Sequence, residues 1–178
     1  MLRVKKITRD GDLTFIRLMP EDYSRLRRDY IDEFGIKLPS AVELDLDDER
    51  DLRLLDNTVT ITIDLKGGGG YRYTFRKGWI HDTASVPPCL RGFVDNDDRR
   101  LVLSAMVHDA NFRGHWLSFI KTNRLFRKMA LAAGYPRRKA FLAWLSVSSP
   151  VGVFMFRRHR RKRAVGAYRK WVHFERIK

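Results

Sequence analysis

Cysteine is nearly absent from this sequence, with Cys89 the only one among 178 residues. A lone thiol excludes an intramolecular disulfide and leaves too few thiolates for a cysteine-based zinc site, which fits a reducing compartment. The opening MLRVKKITRDGDL has no apolar stretch behind its charges, so a cleaved secretory signal is not expected and the protein is expected to act where it is made or to leave by assembly or lysis. Gly67 to Gly70 lack the following GK[ST] and helix of a phosphate-binding loop. No GxSxG surrounds any serine, no internal repeat or heptad pattern is visible, and Asp45, Asp47 and Glu49 lack the turn glycine and final Glu of a calcium loop. The longest uncharged apolar run, residues 140–156, is at the short edge of a bilayer span and contains Pro150. It is expected to form two buried helical pieces bent at that proline, with membrane insertion the lesser alternative.

Acidic residues are missing from one part of the chain. From Arg113 onward there are eighteen Lys or Arg and one acid, Glu175, whereas the first 112 residues hold eighteen basic and twenty acidic side chains. The net charge of +15 therefore belongs to the C-terminal third. Such an asymmetry points to a polyanionic partner, namely nucleic acid, an acidic surface or an acidic protein patch. Arg157, Arg158, Arg160, Arg161, Lys162, Arg163, Arg169 and Lys170 are the candidate contacts, with Tyr168, Trp171 and Phe174 interleaved. The tail is expected to be a helix burying Val165, Tyr168 and Val172.

What is present reads as strands first and helices later, the order of an α+β domain with a small antiparallel sheet from the N-terminal half packed on a helical C-terminal half. Two alternating runs around Asp10-Gly11-Asp12 suggest a hairpin over residues 4–18. Tyr23, Leu26, Tyr30 and Phe34 recur at helical spacing, and residues 32–51 carry eight acids against two bases. The clearest strands place Val59, Ile61, Ile63 and Leu65, then Tyr71, Tyr73 and Phe75, on one face by their period of two. The whole chain is expected to be one domain, with residues 1–57 an N-terminal extension, 58–156 a core and 157–178 a basic C-terminal helix or tail.

The reactive residue types collect between Gly78 and Phe112, where His81, Cys89 and His108 sit among Asp82, Ser85 and Asp109. Asn96 or Asp97 can cap a helix whose apolar line runs Leu101, Ala105, His108, Phe112, so His108 is expected to point inward. Asp109 lies about 100° round that helix, so the two side chains are expected to diverge. Asn123 falls on the apolar line Phe119, Asn123, Phe126, Ala130 of the next helix and is a candidate hydrogen-bond partner for His108 or Asp82. The structural reading is a clasp in which Asp82, Ser85 and Asn123 hold the strand half against the helix of His108. The catalytic reading makes Asp82, Ser85, His108 and Asp109 acid–base, nucleophilic or orienting groups, or lets Asp82, His108 and Asp109 share a divalent metal.

Gly78, Trp79, Asp82, Ala84, Ser85 and Pro87, then His108, Asp109 and Phe112, then Asn123 and Phe126 match in order and spacing the GF-x-TD-x-AS-x-P, HD-x-x-Y/F and AD-x-x-F blocks of a known family. From about Thr60 to Phe156 the chain resembles the bacteriophage and prophage proteins of domain-of-unknown-function family 1353. His81 replaces the family's usual threonine and Asn123 its usual aspartate. The resemblance implies a phage setting, in a virion or the host cytoplasm, and no particular chemistry. Two functions are carried forward. One is a structural or assembly protein whose basic surface docks on DNA or other virion proteins; the other is a metal-dependent or acid–base hydrolase acting on cell wall or nucleic acid.

Overall fold

A computed structural model describes residues 3–17, 52–82, 98–158, 165 and 168–178. The acidic stretch at 32–51, the periodic segment from Tyr23 to Phe34, Ser85, Cys89 and Arg160 to Arg163 lie outside the described residues. Among the described residues the elements follow in chain order as β1 Val4–Asp10, β2 Phe15–Arg17, β3 Leu52–Leu55, β4 Val59–Leu65, β5 Gly70–Phe75, β6 Ile80–Asp82, α1 Arg99–Gly114, α2 Phe119–Ala132, α3 Arg137–Val147, α4 Pro150–Arg158 and β7 Val172–Ile177. The arrangement is α+β, as the order of patterns predicts.

The alternation in β4 and β5 builds the main sheet. Val59, Ile61, Ile63, Tyr73 and Phe75 are fully buried on one face, while Arg72 is exposed on the other. Thr60 and Thr74 meet across the pair at 3.2 Å. The sheet is antiparallel throughout, ordered β1-β4-β5-β7. A second sheet is ordered β2-β3-β6.

Two expectations about the strands are corrected. Residues 4–18 turn at Gly11, whose φ is +92°, but β1 and β2 do not pair with each other. β1 joins β4 and β2 joins β3, because β1 gains a six-residue register and the apolar face of β4 that a short hairpin lacks. The tail is also not helical to its end. Residues 172–177 form β7 on the free edge of β5, with Val172 opposite Phe75 and Phe174 opposite Tyr73. Val165, Tyr168 and Val172 recur at spacings of three and four, which reads as a helix, but Val172 is already the first residue of the strand. The ring of Phe174 decides for the strand by packing 5.1 Å from Tyr73 and 5.4 Å from Trp116.

The helices close over the sheet. α1 is capped by Asp98, one or two residues later than the sequence suggests; its carboxylate accepts from the Arg100 backbone N–H at 2.9 Å. Leu101, Ala105, Met106, Val107 and Ala110 face inward and Leu125, Phe126, Met129 and Ala130 of α2 meet them. Trp79 donates its indole N–H to the Tyr168 hydroxyl at 2.9 Å inside this core, which ties the strand half to the approach of β7. α3 and α4 are separated at Ser148 and Ser149, just before Pro150, as a proline at a helix start requires. They are not wholly buried, however. Phe141, Leu145, Val151 and Phe154 stay 43–69% exposed, because a two-turn helix after a bend offers only one face to the core. No helix among the described residues is long and apolar enough to cross a membrane.

Candidate functional site

His108 lies on the inward line of α1, 7% exposed, as its spacing with Leu101 and Ala105 predicts. Its ring is flanked by Phe112 at 4.8 Å and Phe126 at 5.2 Å. Its Nε2 is 2.9 Å from Asn123 Oδ1 on α2, so the pairing read from the two apolar lines is present. Asn123 in turn donates its amide N–H to the Val147 carbonyl at the end of α3, at 3.2 Å. One polar chain thus links α1, α2 and α3.

This chain fixes a proton. A backbone carbonyl only accepts, so the Asn123 nitrogen must face Val147 and its oxygen must face the ring. That oxygen also only accepts, so Nε2 carries the hydrogen. In the neutral imidazole the proton-accepting lone pair is therefore on Nδ1.

Nδ1 faces a carboxylate. Asp109 Oδ1 is 3.5 Å from it, with the Asp109 side chain 23% exposed and that of His108 8%. The expectation that the two side chains diverge is corrected here. A 100° step fixes only where each Cα–Cβ bond starts, and the torsions beyond Cβ let the short carboxylate swing to the ring edge. The pair sits at the boundary of core and surface.

Other predicted members are not brought to this point by the described residues. Asp82 ends β6 opposite Leu52, but its side chain, like Ser85, is outside the described part. As metal donors, Nδ1 and Asp109 are two. Among the described residues no three His, Cys, Asp or Glu side chains gather closely enough to hold a metal ion.

A second buried polar link was not anticipated. Asn111 donates from Nδ2 to the Tyr73 hydroxyl at 2.9 Å and to the Val107 carbonyl at 2.8 Å, while its own Oδ1 is buried without a partner. Burial pushes the Tyr73 phenol well above its ordinary range, and the hydrogen bond from Asn111 partly opposes this. The signal was available, since Asn111 lies three residues after His108 on the same inward face.

Of the basic contacts named from sequence, Arg157 and Lys170 are exposed. Arg169 is exposed as well, while its Nε donates to the Gly114 carbonyl at 2.9 Å and its guanidinium lies 5.7 Å from the Trp116 ring. The side chain of Arg158 is outside the described part. Lys121, Arg124, Arg137, Arg138 and Lys139 are exposed cations of α2 and α3. Arg127 lies between them, 5.3 Å from the Phe141 ring and 5.5 Å from that of Trp144.

An antiparallel sheet covered by helices, with a buried histidine–asparagine link between the first two, defines an α+β protein built around a polar clasp. The chain belongs to the family described as protein of unknown function (DUF1353), whose model matches residues 58–147, just over half of its length. That match runs from β4 to the end of α3 and so contains His108, Asp109, Asn123 and Val147. β1 and β7, which complete the four-stranded sheet, fall outside it. No curated protein and no solved structure matches the chain.

Proposed function

We propose that this DUF1353 protein is a phage-encoded structural or assembly protein whose basic half docks on a polyanion, either nucleic acid or an acidic virion partner. The observation that carries the reading is the state of its cations. Lys121, Arg124, Arg137, Arg138 and Arg157 are exposed, and among the described residues none of them has an ion-pair partner. A fold that needed this charge for its own stability would pair it; unpaired, like-signed charge repels itself and is retained at a cost in stability that a bound polyanion offsets. Contacts of this kind go to phosphate and carry no sequence preference. Filter retention of DNA by the full chain tests the nucleic-acid form: retention at low salt that disappears as salt rises supports it, and no retention at low salt eliminates it. For the virion form, the protein is expected in the mass spectrum of purified particles.

The geometry of His108 favours one second reading, an acid–base hydrolase. Asn123 commits Nε2 to donation and leaves Nδ1, beside Asp109, as the position that takes up a proton. In that reading Asp82 and Ser85 are the remaining candidates to complete the site, and cell wall and nucleic acid are the substrates to assay. Hydrolysis that is abolished in both His108→Gln and Asp109→Asn, with the fold retained, supports it; turnover unchanged in the two variants removes it.

A further inference from the structure

Four cations outside the tail converge on one cleft. Arg3 precedes β1, Lys66 follows β4, and Lys121 and Arg124 lie on α2; the four line a cleft of about 360 Å³. Leu65, Gly67, Gly68 and Tyr71 complete its lining. No acid lines it. All four cations are exposed, and among the described residues none is engaged in an ion pair.

The fold assembles this convergence. Antiparallel pairing of β1 with β4 sets Val4 opposite Leu65, which brings Arg3 beside Lys66, and the Arg3 carbonyl accepts from the Lys66 backbone N–H at 2.8 Å. α2 packs against β1, and its residues 121 and 124, three apart, share the face that looks over the turn. Gly67 and Gly68 have φ of +108° and +94°, and a Cβ at either would meet nothing within 4 Å. Among the described residues no side chain lies within 4 Å of those positions, so the backbone of the turn is open to a ligand.

We propose that this cleft binds phosphate groups, and specifically the backbone of a nucleic-acid strand. The inference rests on the polyanion reading above and locates its primary contact away from the tail. Convergent, unpaired guanidinium and ammonium groups on an acid-free concavity are the chemistry of phosphate recognition. Two features favour a strand over a small phosphate. Tyr71 lines the cleft half-buried, with its ring stacked 5.9 Å from that of Phe174, and a base can extend that stack. Lys128 continues the line of Lys121 and Arg124 at a spacing of four, so the cations extend along α2 beyond the cleft.

The test uses the full chain and a thymidine oligonucleotide, with affinity measured by fluorescence anisotropy over a salt series. Lys121→Ala with Arg124→Ala removes two phosphate contacts, so the slope of log K against log salt is expected to flatten by about 1.4, at about 0.7 per contact for single strands. Arg9→Ala with Arg76→Ala, at exposed positions outside the cleft, makes the same change in net charge and is expected to leave the slope unchanged. Inorganic phosphate, added at constant ionic strength, is expected to displace the oligonucleotide only weakly. Equal slopes for the two double variants overturn the cleft while leaving the general polyanion reading intact. Strong displacement by inorganic phosphate overturns the strand in favour of a small phosphate ligand. Absence of oligonucleotide binding by the unaltered chain overturns both.

Discussion

At the scale of the residue, the account rests on buried polar groups whose partners are named. His108 and Asn123 were legible because each interrupts an apolar line at helical spacing, and a polar group buried on such a line needs a partner. The contact of Asp109 with His108 was not legible, since it depends on side-chain torsions that spacing does not encode. Asn123→Ala is expected to destabilise by about 1–3 kcal/mol, because it leaves the Nε2–H of His108 without its acceptor, and urea denaturation measures it. Asp98 gives a pH dependence. The Arg100 side chain and backbone N–H hold its carboxyl below the usual range, so its contribution is fully present above the unfolded value and is lost as pH falls through the folded one. Asp98→Ala is expected to cost about 1 kcal/mol near neutral pH. That difference should vanish well below about pH 4, the ordinary carboxylate value. Tyr73 acts at the other end. With its folded value raised, the unfolded chain loses the phenol proton first, so stability is full below the unfolded value of about 10 and falls as pH rises beyond it. Tyr73→Phe is expected to remove that alkaline loss, read as denaturation midpoints compared below and above this value.

At the scale of the element, period-two alternation made β4 and β5 readable, whereas edge strands were not. β1 and β7 carry many charges and few apolar residues, and they are strands because β4 and β5 present open edges to them. Pairing over long sequence separation is decided by the partner and leaves little mark on the segment itself. The glycine that matters most to the sheet is Gly70, where an added Cβ would lie 2.2 Å from the Ile63 carbonyl oxygen in the facing strand. Gly70→Ala is expected to force β4 and β5 apart at their turn end and to cost about 1–3 kcal/mol, as overpacking does, with a matching fall in the thermal midpoint. Removal of residues 172–178 should do more. It unpairs the edge of β5 and withdraws Val172 and Phe174 from the core, so cooperative unfolding is expected to be lost and limited proteolysis to cut within β5.

At the scale of the molecule, charge was the most legible property and its arrangement the least. The sequence located the excess after Arg113 and pointed to the tail, whereas the cleft draws Arg3 and Lys66 from the nearly neutral half. Their meeting with Lys121 and Arg124 is a product of the β1–β4 pairing and of α2 lying over β1, and no linear spacing contains it. The same holds for the exposed apolar face of α3 and α4, which the uncharged run from Ala140 to Phe156 led one to place inside. The central claim is that the unpaired cations of this fold serve a polyanion. The most direct measurement is the salt dependence of oligonucleotide binding by the full chain at equilibrium. Four phosphates held in the cleft predict a slope of log K against log salt of about 2.8 in magnitude for a single strand. A slope near zero, or no binding at the lowest salt, would contradict the account.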